Sequence, residues 1–273
     1  MESFSLRPQS FRRTVPAPAA ARGRDLTFSG IQTLPPYRAD WLEAELSGPA
    51  EPVPGGRHSV RLQDGCGLSL PLTPLPGGNT AVALLMSNQT SFVVERHLVQ
   101  RLAALVRGLA PEAVVGIPTL GLPYARSVAE AVGLPDYVAL GHSRKFWYDE
   151  ALSEPAVSAT SPDQTKRLYL DPGLLERLRG RRIVVVDDVL NTGGTMVAAL
   201  RLLQKAHARV IAIAAVLTEG WEWHRSLAGF DPAAPGWVRA LGHVPLFGRT
   251  DSGWAVLPGT DADDWPRDPG AMT

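Results

Sequence analysis

The sequence predicts an α/β protein with a central parallel sheet flanked by helices and irregular additions at both ends. Three observations carry this. Ile183–Val186 is a short β-branched run, apolar at every position, as a strand buried on both faces is. From about residue 81 to 220, apolar strand-length runs alternate with stretches of helical period, the pattern of a parallel sheet covered on both sides. The segment IVVVDDVLNTGGT (183–195) passes from a strand through an acidic and glycine-rich turn into a helix. Ligands of such sheets sit at the carboxyl ends of strands.

Residues 1–25 carry Pro, Ala and Arg without periodicity and are expected to lack fixed structure. Residues 26–80 are broken by Pro and Gly and read as an irregular accessory segment with a few short antiparallel strands. The organised core is assigned to 81–220. AVALLM (81–86) is a strand candidate, and 94–109 a helix with Leu98, Leu102, Leu105 and Leu109 along one face. AVVGI (113–117) is a strand, 123–133 a helix ended by Gly133, and YVAL (137–140) another strand. After a long polar stretch and RLYL, residues 172–180 read as a helix. The strand at 183–186 follows, then a helix from Thr195 with Met196, Val197, Leu200, Leu203 and Ala206 at helical spacing, then the strand RVIAIAAVL (209–217). Residues 221–273 hold five of the seven tryptophans among many Pro and Gly, and read as a second accessory segment rather than more sheet.

Bulk properties narrow the function. Lys plus Arg and Asp plus Glu are equal at 27 each, so no global charge drives the chain to nucleic acid or an anionic membrane. The single cysteine, Cys66, excludes an internal disulfide and a multi-cysteine metal site and fits a reducing, cytoplasmic compartment. No apolar run approaches the ~20 residues that span a bilayer. The six histidines show no metal-ligand spacing; His142, next to a basic pair, is the one of interest. A dinucleotide G-x-G-x-x-G fingerprint is absent.

The turn itself carries the chemistry. Asn191, Thr192, Gly193, Gly194 and Thr195 set backbone N–H groups and hydroxyls around one point at a helix amino terminus, a seat for a phosphate. Asp187 and Asp188 would repel that phosphate; acids beside it accept hydrogen bonds from sugar hydroxyls or take part in holding a cation. A ribose 5′-phosphate satisfies both halves. The bland alternative for the acids is a strand-end Asp capping the following helix.

VVVDDVLNTGGT resembles the phosphoribosyl pyrophosphate motif of the type I phosphoribosyltransferases, nearest the adenine phosphoribosyltransferase-like branch, over roughly residues 81–220. The resemblance implies that family's fold, Asp187 and Asp188 on the ribose hydroxyls and on any metal, and Asn191–Thr195 around the 5′-phosphate. Pro118, Thr119, Leu120 and Gly121 resemble the family's pyrophosphate loop, although an ordinary strand-to-helix turn is the alternative and Thr119-Leu120-Gly121 stands where relatives often carry a charge. Arg144 and Lys145 resemble its pyrophosphate-contacting basic pair, against the alternative of a solvated charge pair. With the two acids they form the candidate catalytic set. Residues 146–166 match a mobile lid, with Tyr148, Asp149 and Glu150 available for proton handling. Trp221 and Trp223, where the family builds a base-recognising hood, are candidates to stack on the base, with core packing as the alternative that their size favours.

The activity implied is Mg²⁺-dependent transfer of a phosphoribosyl group from phosphoribosyl pyrophosphate to a nucleobase, with a purine expected, in nucleotide salvage by a cytoplasmic homodimer. The other function class is a non-catalytic regulator that senses phosphoribosyl pyrophosphate or nucleotides. A DNA-binding form of it would need an added basic helix-turn-helix, and residues 1–80 are too broken for one.

Overall fold

The computed structural model describes residues 36–43, 56–158 and 161–264. The chain runs β1 (Asp40–Leu42), β2 (Arg57–Arg61), β3 (Gly67–Pro74), β4 (Thr80–Ala83) and α1 (Phe92–Arg107). It continues through β5 (Ala113–Gly116), α2 (Gly121–Ala131), β6 (Val138–Ala139), β7 (Ser153–Ser158) and β8 (Ser161–Tyr169). Then come β9 (Arg182–Leu190), α3 (Gly194–Lys205), β10 (Arg209–Glu219), α4 (Glu222–Phe230), β11 (Val238–Val244), β12 (Phe247–Thr250) and β13 (Gly253–Val256). The tail expected at 1–25 lies outside the described residues, as do parts of the accessory segments.

The central sheet has the order β11-β10-β9-β5-β6, and each of its pairings is parallel. Its middle strands are apolar because both faces are covered. Val114, Val184, Val186, Ala212 and Ala214 enter one core cluster; Val115, Ile183, Val185, Ile213 and Ala215 enter the other. This is the two-residue alternation of a strand read on both sides at once. The first cluster takes Leu98 and Leu102 of α1 and Tyr124 and Val128 of α2; the second takes Met196, Leu200 and Leu203 of α3. α1 begins where the Ser91 hydroxyl accepts a bond from the Val94 N–H, and its Val94, Leu98, Leu102 and Val106 are buried at helical spacing.

From β5 the chain crosses to β6 on one side, and from β9 it proceeds to β10 and β11 on the other. The strand order therefore reverses between β5 and β9, which opens a crevice at their carboxyl ends.

Several expectations change. AVALLM supplies β4 in a six-stranded antiparallel sheet, where β4 pairs with β3 and β12 rather than with the parallel strands. Residues 57–74 are regular antiparallel strands that share the first core cluster through Leu68 and Leu70. The parallel sheet does not stop near 220: β11 adds a fifth strand beside β10, and β12 and β13 join the antiparallel sheet. β11 is an edge strand with only two of its seven residues buried, so it lacks the apolar run that marks an interior strand. The predicted helix at 172–180 is a 3₁₀ helix over Pro172–Arg177. The stretch at 146–166 does not form one long loop, because β7 and β8 pair as an antiparallel hairpin. Lys205 at the end of α3 holds that hairpin: its Nζ donates to the Ser153 carbonyl at 2.9 Å and pairs with Glu154 at 2.6 Å.

Candidate functional site

A cavity of about 410 Å³ occupies the crevice between the carboxyl ends of β5 and β9. Ile117–Leu120 line it from the β5–α2 turn, Asp187–Gly193 from β9 and the turn after it, and Thr195 and Met196 from α3. Leu75, Val82, Leu84, Leu85 and Met86 line it from the antiparallel sheet and the segments flanking β4, and His142, Lys166 and Glu219 add polar groups.

The acid pair sits inside β9 rather than beyond it, because the strand runs on to Leu190. Asp187 and Asp188 are each only 8% exposed. The Asp188 N–H donates to Asp187 Oδ1 at 2.9 Å. Burial pushes both carboxyls above the ordinary aspartate range, and for Asp187 the neighbouring Asp188 charge adds to the effect. The amino end of α2 approaches very closely: a Cβ on Gly121 would fall 2.7 Å from Asp187 Oδ1 and 2.9 Å from its Cα. Gly121 is thus needed for the absence of a side chain, which lets the helix start seat against the acid.

Gly193 precedes α3 with φ of 80°, in the left-handed region that glycine adopts without penalty. Having no side chain, it leaves the first N–H groups of the twelve-residue helix without a side-chain cap at that position. The loop is braced from behind by α4. A Cβ at Gly193 would lie 3.0 Å from Ser226 Cβ and 3.1 Å from Trp223 Cα, and the Ser226 hydroxyl donates to the Thr192 carbonyl at 2.6 Å.

Of the two readings for the tryptophans, the structure has the packing that their size favours rather than a place on the cavity. Trp223 is 2% exposed within the second core cluster, and its Nε1 donates to the Gly220 carbonyl. Trp221 stacks on His243 at 4.1 Å and donates to the Asp261 carbonyl. Neither lines the cavity. The chain turns into α4 immediately after β10, and that turn carries both rings into packing behind the loop.

Arg144 and Lys145 are also absent from the cavity lining. Lys145 is exposed, and Arg144 pairs with Glu150 at 3.5 Å across the surface. The cation that does line the cavity is Lys166 of β8, brought there by the hairpin. His142 joins it, its two ring nitrogens each 3.2 Å from a carbonyl oxygen, those of Pro118 and Arg167, so that it ties the β5–α2 turn to β8. Of the candidate pyrophosphate loop, Pro118, Thr119 and Leu120 line the cavity and Gly121 does not, and a cis peptide joins the first two.

Sequence reasoning missed Glu219. It ends β10, is 5% exposed, and accepts a hydrogen bond on Oε2 from Asn191 Nδ2. Burial raises its carboxyl to about 8, against the Asn191 bond and with help from the Asp188 charge. The available signal was an acid closing an otherwise apolar strand at its carboxyl end. Because the folded-state value lies above the ordinary glutamate range, the associated stability is fully present below about pH 4.5 and is lost as pH rises through about 8. Glu219→Gln is therefore expected to flatten the fall in ligand-free stability across that window by a few kcal/mol, measured as urea midpoints from pH 4.5 to 8.5.

Fold and site together define an open parallel α/β protein with a polar ligand cavity at the sheet's switch point. Residues 87–231, just over half of the chain, match the family model of the phosphoribosyl transferase domain, and the chain belongs to this family. It is 38% identical over 120 residues to the adenine phosphoribosyltransferase of Kineococcus radiotolerans, covering 44% of this chain and 61% of that one. It is 31% identical over 107 residues to the hypoxanthine/guanine phosphoribosyltransferase of Methanococcus voltae, covering 39% and 52%. The chain thus spans about three fifths of the first relative and about half of the second. The solved adenine phosphoribosyltransferase of Rhodothermus marinus aligns at 21% identity with a TM-score of 0.46, over 56% of this chain and 81% of that one. No helix among the described residues is long and apolar enough to cross a membrane.

Proposed function

We propose that this chain transfers the phosphoribosyl group of phosphoribosyl pyrophosphate to a purine base. The observation that carries the reading is the pairing, within one cavity, of the buried Asp187–Asp188 acids with the uncapped start of α3. The first suits a vicinal diol and the second a phosphate, and the two are separated by only a short turn. In the reaction a base nitrogen forms the bond to the anomeric carbon, the bond to the pyrophosphate oxygen breaks with its electron pair, and the base N–H proton passes to solvent.

The protein's part is positioning and electrostatics. Asp187 and Asp188 would orient the ribose by accepting from its hydroxyls, and their charge would favour the cationic character that develops on the sugar. Asn191–Thr195 would anchor the 5′-phosphate. The β5–α2 turn, with Lys166 and His142 beside it, would face the departing pyrophosphate. The described residues bring together no group of three or more His, Cys, Asp or Glu able to hold a metal ion. The hard oxygens of Asp187 and Asp188 suit magnesium and would hold it with the help of substrate, and it would supply neutralisation of the pyrophosphate charge. The cytoplasmic setting and the homodimer belong to the same reading.

The test is incubation of the protein with phosphoribosyl pyrophosphate, magnesium and a panel of bases, following nucleotide and pyrophosphate by chromatography. Base-dependent nucleotide formation is the expected result. Binding of phosphoribosyl pyrophosphate with no turnover on any base would overturn the transferase reading in favour of a sensor.

A further inference from the structure

Glu219 has no role in the chemistry above, yet it is a buried acid on a ligand cavity. Among the described residues, no Lys, Arg or His nitrogen forms an ion pair with it. The Asn191 amide donates to its Oε2. A carboxyl withdrawn from water and left with spare acceptor capacity weakens the ligand-free protein, and a native cavity keeps such a group where a ligand completes it.

Its place in the sheet indicates which part of the ligand that is. The acids come from β9 and the phosphate loop follows that strand; Glu219 ends β10, the neighbouring strand, where Thr218 is in register with Leu190. It therefore stands beside the start of the loop and one strand out from the acids. The aliphatic part of the lining is Leu75, Val82, Leu84 and Met86, while Thr119, His142 and Lys166 lie with the turn and hairpin assigned above to the pyrophosphate. An aliphatic wall suits a flat heterocycle, and Glu219 is the polar lining group left to fix its orientation once sugar, phosphate and pyrophosphate have theirs.

We propose that Glu219 is the specificity-determining residue for the base, accepting a hydrogen bond from an amino or ring N–H donor on its edge, so that the site takes amino-bearing heterocycles and rejects bases without a donor there and bases carrying a carboxylate. With Oε2 held by the Asn191 amide, the ionised carboxylate presents only acceptor positions to the cavity, and a donor on the base edge stabilises that ionised form. An anionic base would meet Asp187, Asp188 and Glu219 together, which adds repulsion to the missing bond. Asn191 links the two ends of the site, because the residue that opens the phosphate loop also holds the carboxyl that faces the base.

This inference rests on the phosphoribosyl reading, and equilibrium binding separates the two without needing turnover. Calorimetric titration would compare adenosine monophosphate, purine riboside 5′-monophosphate, which lacks the amino group, and ribose 5-phosphate, on the natural protein, Glu219→Leu and Glu219→Gln. The natural protein is expected to bind the amino-bearing nucleotide about ten-fold or more tighter than the deaminated one. Glu219→Leu should bring that ratio close to one while ribose 5-phosphate still binds. Glu219→Gln, whose amide oxygen stays with Asn191 and turns its NH₂ to the cavity, should lower the ratio too and decides the matter if the Leu variant does not fold. A ratio unchanged in the variants, or absent from the natural protein, overturns this inference alone. Failure of ribose 5-phosphate to bind the natural protein overturns the reading beneath it, and this inference with it.

Discussion

Asp187→Asn is expected to abolish turnover in the proposed reaction, by about 10²-fold or more, while making the ligand-free protein more stable at neutral pH. Both acids are 8% exposed and adjacent in one strand; burial raises both carboxyls above the ordinary range, and the Asp188 charge adds to the effect on Asp187. The sign follows directly. A folded-state value above the unfolded one gives stability that is whole below about pH 4 and drains away as pH rises through the folded-state value. Replacing one acid by its neutral isostere removes that acid's share of the loss, while Asn Oδ1 still accepts from the Asp188 N–H. The expected gain is present near pH 7.5 and shrinks towards pH 4. Urea midpoints at the two pH values check it. A variant less stable at pH 7.5 would mean that the carboxyl is compensated in the fold and that the pair is structural.

Trp223→Ala should have the largest effect on stability, a loss of about 3–5 kcal/mol. The ring is 2% exposed in the core cluster beneath the sheet, and its N–H is satisfied by the Gly220 carbonyl. A functional consequence follows from the backbone. Gly193 abuts Trp223 Cα and carbonyl, so loosening α4 releases the loop that starts α3. Affinity for ribose 5-phosphate is expected to fall several-fold although the ring never reaches the cavity, whereas preference among bases should hold. Trp221→Ala, which removes a half-buried ring that stacks on His243, bonds the Asp261 carbonyl and touches Trp223, should cost less than half as much stability. Were Trp223 a stacking platform, the outcome would reverse: a stable fold with altered base preference. Denaturation and calorimetric titration on the same samples separate the two.

These contrasts mark what can be read from one dimension. Ile183–Val186 announced a buried strand because both faces of the sheet are covered, and an interior strand in that position is apolar. Asp187 and Asp188 stood out against that background for the same reason: two acids directly after a buried strand need a function to explain them, although only the structure put them inside β9. The glycines of the following turn were legible because left-handed backbone and close approach each demand glycine locally. Local chemistry, short in sequence, was sufficient for the strand, the acid pair and the loop.

What depended on long-range pairing was not legible. β11 and the antiparallel strands are half-exposed and short, so their apolar pattern resembles that of a loop until their partners are known. The aliphatic wall from Leu75 to Met86 reaches the cavity through the pairing of β4 with β3 and β12, which nothing in that segment encodes by itself. Lys166 lines the cavity, where Arg144 and Lys145 do not, because it lies on the β7–β8 hairpin that α3 holds through Lys205. Glu219 and Asn191 meet only once β9 and β10 lie side by side. The sequence by itself determined the strand–turn–helix device and its chemistry, since those residues are neighbours along the chain. The tertiary structure decided which distant side chains close the cavity around it, because strand order and the direction in which each connection turns are settled by packing across the whole core.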